Sequence, residues 1–140
     1  MMVDNDKIRQ KVHFIRQEKK KLQRFRAMDY KEFVSDDLYV DAATRILQVM
    51  VECVLDICAH AIAREGWGTP KTYVETVKIA AERGLIPVDK EQNFINMAKF
   101  RNRVVHMYDE VNKEEVYDIL LNHVEDFGLF IQSVVNYYFK

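Results

Sequence analysis

The chain has 140 residues and a mass of 16.6 kDa, which suits a single domain over residues 1–140 and leaves no room for a large two-domain enzyme. With 49% hydrophobic and 31% charged residues it can bury a core, and four Gly and two Pro are too few for the turns of a sandwich, a barrel or a disulfide scaffold. A formal charge of −1 excludes chain-wide attraction to nucleic acid or an anionic membrane.

In chain order, Ile8, Val12, Ile15, Leu22 and Phe25 recur at three, four and seven residue spacings, which predicts an amphipathic helix from about Asp4 to Ala27. Residues 1–34 hold ten basic and five acidic side chains. Their basic run, Arg16, Lys19, Lys20, Lys21, Arg24 and Arg26, fits either a solvated helix face or a surface that meets a polyanion. Asp36 and Asp37 then precede a long apolar segment, Leu38 to Ala63. Its polar members Asp41, Arg45, Gln48, Glu52, Asp56 and His60 fall into one narrow stripe. The apolar arc of that helix is wider than one bundle core requires, so a homodimer is expected to cover the rest.

Gly66-Trp67-Gly68 stops the second helix. Thr69-Pro70 reads as the start of a short third one, with Thr as N-cap and Pro at the first helical position. That helix ends near Gly84, with Pro87 beyond. Asp89 is expected to cap a fourth helix through Phe94, Met97 or Ala98, and Val104 or Val105, and Asn112 to open a fifth carrying Val116, Ile119 or Leu120, Val124, Phe127, Phe130 or Ile131, Val134 and Tyr138. No segment alternates with period two over enough residues to demand a strand. The expected fold is all-α, an up-and-down four-helix bundle with a short additional helix.

No uncharged apolar run of 18 residues occurs, and no apolar region follows basic residues at the start, so the expectation is a cytoplasmic protein with no membrane span. Cys53 and Cys58 lie in an apolar stretch and behave as core thiols. With His13, His60 and His123 on separate helices, a metal site is not expected, nor is a cofactor.

Residues 99–106 hold three cations and no acid. At about 100° per residue, Arg101 and His106 sit about 140° apart on a helix, with Asn102 in the same stripe as His106. An arginine can pair bidentately with a phosphate, and a histidine can move protons at neutral pH. The 2′-hydroxyl of RNA supplies its own nucleophile, so such a pair suits phosphodiester cleavage without a metal. Cations also favour a helix C-terminus for purely structural reasons, and the spacing leaves both readings open.

The segment Arg101-Asn102-Arg103-Val104-Val105-His106-Met107-Tyr108 resembles the R-x4-H-x-Y signature of the HepT-like toxins, a branch of the HEPN superfamily of helical ribonucleases. The resemblance extends through Thr44 to Val49 with Glu52 and Asp56, through Gly66-Trp67-Gly68-Thr69-Pro70 with Tyr73, and through Gly84-Leu85-Ile86. It covers about residues 38–138. It implies a HEPN-like bundle, a homodimer whose two motifs line one cleft, and a metal-independent endoribonuclease toxin of a type II or VII-like toxin–antitoxin pair. By carry-over, Arg101 holds the scissile phosphate, Asn102 orients it and His106 is the acid or base. The resemblance further implies a minimal nucleotidyltransferase antitoxin that adds AMP to Tyr108, blocking RNA by bulk and charge. Glu52 and Asp56 either support that cleft or pair with Arg45 and neighbouring charges. The rival expectation is a non-catalytic helical module that binds a nucleotidyltransferase partner.

Overall fold

The computed structural model describes residues 5–106 and 111–139. Its elements are α1 (Asn5–Lys21), α2 (Gln23–Arg26), α3 (Tyr30–Val34), α4 (Asp37–Glu65), α5 (Tyr73–Glu82), a 3-10 turn (Val88–Lys90), α6 (Glu91–Val105), α7 (Lys113–Asn122) and α8 (Val124–Tyr138). No strand occurs among the described residues. The fold is an all-α bundle in which α1–α2, α4, α6 and α7–α8 are the long members and α5 is the short addition.

The 29-residue α4 is the central element. Asp36 caps its start, the side chain accepting from the Leu38 amide at 2.9 Å, and Gly66 ends it in the left-handed region at φ 68°, a conformation open to Gly without a Cβ penalty. Val40, Leu47, Met50, Val54, Leu55, Ile57, Cys58 and Ile62 are buried along it, because α1, α5 and α6 all pack against it. Much of the wide apolar arc is therefore consumed within the chain. By length and composition α4 is apolar enough to cross a membrane, but half of its most apolar window is buried inside the fold, which is the arrangement of a core helix.

The long helices expected at both ends are interrupted. The first stops at Lys21, where the Leu22 amide bonds to the Lys19 carbonyl at 3.1 Å. That i→i−3 tightening lets fully buried Leu22 and Phe25 keep facing the core. The last is split at His123 (φ −127°), whose ring sits between Asp118 and Asp126. The helix α3 was not anticipated, although Asp29-x-x-Glu32 carries its cap: Asp29 accepts from the Glu32 amide at 2.8 Å.

Two predicted caps move. The short helix starts at Tyr73, not Thr69-Pro70. The Thr72 hydroxyl accepts from the Glu75 amide at 3.1 Å, and Glu75 Oε1 accepts from the Lys71 amide at 2.8 Å; only Thr72 has a Glu three residues on. Asp89 lies inside the 3-10 turn closed by the Lys90 amide on the Pro87 carbonyl at 2.9 Å, and α6 starts at Glu91 with no side-chain cap. Asn112 does cap α7, accepting from the Glu115 amide at 2.9 Å.

The core meets α6 through aromatic contacts. Phe94 packs against Phe127 and Phe130 with ring centroids 6.2 and 5.9 Å apart, and Phe100 is buried further along the same helix. These residues fix the roll of α6 and so which way its polar side chains face. Phe94→Ala is expected to cost about 3–5 kcal/mol in urea unfolding, while Val88→Ala, 74% exposed, stays within about 0.5 kcal/mol; equal losses would contradict this packing.

Candidate active site

The roll set by Phe94 and Phe100 turns Arg101 toward α4 and α5. Its side chain is 16% exposed and its Nε donates to Glu52 Oε2 at 3.0 Å. Gln48, one turn earlier on α4, donates to the same Glu52 oxygen at 3.1 Å, and the Arg101 guanidinium carbon stands 4.9 Å from the centre of the Tyr73 ring at the start of α5. Asn102 Oδ1 accepts from Arg101 Nη1 at 3.2 Å. Three helices thus hold one cation, by an ion pair, an amide and an aromatic face. The Nη2 hydrogens have no hydrogen-bond partner among the described residues, so one edge of the fork is available to an anion.

His106 is the C-cap residue of α6. Its amide donates to the Asn102 carbonyl at 3.0 Å and the residue is exposed. No contact joins His106 to Arg101 among the described residues. Tyr108, the expected modification site, lies outside the described residues.

The two carboxylates expected to act together are divided. Glu52 meets Arg101, whereas Asp56 accepts from Lys11 of α1 at 3.2 Å. The suggested partner Arg45 is exposed and holds neither of them. Gln48 and Tyr73 join the site without having been singled out for it from the sequence. The i, i+4 pair Gln48 and Glu52 was visible in the polar stripe, but nothing local to Tyr73 announces its packing on Arg101.

Half of the basic run in the first segment is engaged in ion pairs within the molecule. Lys19 and Arg26 bind Glu125 at 3.1 and 3.0 Å, and those hydrogen bonds hold its carboxyl below the ordinary carboxylate range. Lys21 pairs with the buried Glu18 at 2.7 Å. Arg26 Nε also donates to the Leu120 carbonyl at 3.0 Å, near the end of α7, where a cation suits the helix dipole. Arg16, Lys20 and Arg24 stay exposed. Among the described residues no group of three or more His, Cys, Asp or Glu side chains is placed to hold a metal. Burial pushes the thiols of Cys53 and Cys58 up, which makes them poor nucleophiles.

Residues 15–134 match the family described as Ribonuclease HepT-like. The chain belongs to that family. It is 29% identical over 130 residues to the mRNA nuclease HepT of Shewanella oneidensis, covering 93% of this chain and 97% of that one. It is 19% identical over 116 residues to the tRNA nuclease HepT of Aphanizomenon flos-aquae, covering 83% and 79%. A solved structure of tri-AMPylated Shewanella oneidensis HEPN toxin in complex with MNT antitoxin superposes with a TM-score of 0.85 at 28% identity, covering 95% of this chain and 99% of that one. The all-α bundle is therefore the fold of a HEPN toxin.

The Arg101–Glu52 pair has a measurable structural consequence. Glu52→Ala, which leaves the half-buried Nε without its acceptor, should lower unfolding stability by about 1–2 kcal/mol, and Glu52→Gln, which keeps an acceptor oxygen, by less; a larger loss in the Gln variant would show that the pair does not anchor α6 to α4.

Proposed function

We propose that this HepT-like chain is an endoribonuclease toxin that cleaves RNA by internal transesterification and is neutralised by a nucleotidyltransferase antitoxin. The observation that carries the reading is the fixed guanidinium of Arg101, with one open edge, five residues before an exposed His106 in a HepT-like bundle. In the reaction the 2′-hydroxyl oxygen bonds to phosphorus and the bond from phosphorus to the 5′-oxygen breaks. One proton leaves the nucleophile, one reaches the 5′-oxygen, and the products carry a 2′,3′-cyclic phosphate and a 5′-hydroxyl. His106 serves as the acid or base. Arg101 binds the phosphate and stabilises the charge that accumulates on it. Asn102 orients that phosphate and, through its bond to Arg101 Nη1, the guanidinium as well.

The reading includes a second copy. Arg101 and His106 leave α6 in different directions, and two chains related by a twofold axis bring two of each to one cleft. It also includes control at Tyr108, two residues beyond His106. An AMP group there adds phosphate charge and bulk where the RNA phosphate must enter. The similar Shewanella toxin is AMPylated and bound to an MNT antitoxin, which supports this part of the reading, and a cytoplasmic location belongs to it.

The purified protein, incubated with total RNA in EDTA, should give fragments with 2′,3′-cyclic phosphate ends. His106→Ala and Arg101→Ala should each reduce that cleavage at least about 100-fold while circular dichroism stays unchanged. Cleavage that survives in His106→Ala refutes the assigned role, and no cleavage by a wild-type protein whose intact mass shows Tyr108 unmodified favours the non-catalytic module instead. In light scattering at micromolar concentration, the mass should be twice 16.6 kDa; a monomeric mass removes the shared cleft.

A further inference from the structure

Between α6 and α7 the structure leaves a cavity of about 170 Å³, several times the roughly 30 Å³ that one water molecule occupies in the liquid. Met97 and Ile119, 3% and 7% exposed, form a small apolar floor, and Asn93 and Asn96 bring amides to it. Each amide has one end in use: Asn93 Nδ2 donates to Asp126 at 3.0 Å, and Asn96 Oδ1 accepts from Gln92 at 3.0 Å. Among the described residues the Asn93 oxygen and the Asn96 Nδ2 hydrogens keep free valences, one acceptor and one donor. His123 at the same wall has a buried Nδ1 with no hydrogen-bond partner.

Lys99 and Arg103 also line the cavity. They precede His106 by seven and three residues on α6, so all three lie within about 60° of one helix face, with rises of about 10 and 4.5 Å to His106. Arg101 leaves from the other side. Arg103 makes an ion pair with Glu115 of α7, and Asp118 stands one turn further on α7.

We propose that this cavity receives one nucleobase of single-stranded RNA, splayed out next to the scissile phosphate, and that it selects a base with an amine where guanine and uracil carry a carbonyl, adenine (N6) or cytosine (N4), over uracil. The inference rests on the ribonuclease reading. Apolar surface suits the ring face, and the unused amide atoms suit its hydrogen-bonding edge. Carboxylates accept from an amine and repel a carbonyl. A nucleotide can also take over from the Arg103–Glu115 pair: its phosphate pairs with Arg103, and its amine, although neutral, donates a hydrogen bond to the Glu115 carboxylate, so neither group is left without a partner. Lys99 meets the adjoining phosphate.

Sequencing the ends of cleaved RNA should show adenine or cytosine favoured over uracil about tenfold or more at one fixed position beside the cut. In Glu115→Gln, whose amide serves carbonyl and amine alike, the preference should fall to within about twofold while cleavage persists, and Asn96→Ala should weaken it independently. An unchanged preference in both variants, or a wild type with none at any position, overturns the proposal. If wild-type protein does not cut RNA, the ribonuclease reading fails by itself, and the cavity is then tested by fluorescence anisotropy with five-nucleotide adenine and uracil oligoribonucleotides. Tighter adenine binding that Glu115→Gln abolishes supports the base site; equal binding of the two overturns it.

Discussion

The packing of α4 against α1, α5 and α6 is the constraint from which the rest of this molecule follows. A helix of 29 residues with apolar side chains over most of its circumference has to be covered on several sides, and the other helices are arranged to do that. Its narrow polar stripe escapes burial, but unevenly. Gln48 and Glu52 are half-buried where α6 and α5 come close, while Asp41, Arg45 and Asp56 are exposed. The stripe therefore supplies a carboxylate at the edge of the core, in reach of a neighbouring helix.

A carboxylate so placed favours a permanent cation opposite it, since a half-buried charge without a partner is costly. Arg101 is that cation, and its immobilisation has chemical value. A guanidinium held by Glu52 at Nε, by Asn102 at Nη1 and by the Tyr73 face loses little further freedom when an anion arrives. The same contacts that join α6 to α4 thus preorganise the guanidinium edge that the proposed function assigns to phosphate. Stability and site are one arrangement here, which is why Gln48 and Tyr73 matter to the site without carrying its chemistry.

How much of this was legible in the sequence depended on whether the signal was local. Asp36, Gly66 and Asn112 mark helix ends through bonds to their own neighbours, and they sit where their spacing put them. Pro70 makes Thr69 read as the cap before a first helical residue, but the Glu three positions after Thr72 outweighs that signal. The breaks at Leu22 and His123 left no mark in the apolar periodicity, because a one-residue irregularity lets buried residues on both sides keep facing the core. In the site, the motif from Arg101 to His106 was visible as a string of residue types. The partner of Arg101 was not, because periodicity gives the face on which a side chain leaves its helix and says nothing of which helix stands there. Hence Glu52 went to Arg101 rather than Arg45, and Asp56, one turn along the same stripe, met Lys11 of α1.

The different directions taken by Arg101 and His106 bear on how such a site works. Arg101 is committed to α4 and α5 by contacts that also hold the bundle together, so swinging it toward His106 would give up the Glu52 pair and expose a carboxylate in a half-buried position. Among the described residues, His106 at the C-cap has no such commitment. On the proposed ribonuclease reading, a scissile phosphate is therefore met more cheaply by bringing a second His106 to the fixed Arg101 than by moving Arg101 to its own His106. Closed twofold association does that without distorting either chain, because an isologous interface presents each residue twice, in opposite order. The rigidity of the cation within one chain is thus itself an argument for sharing the histidine between two.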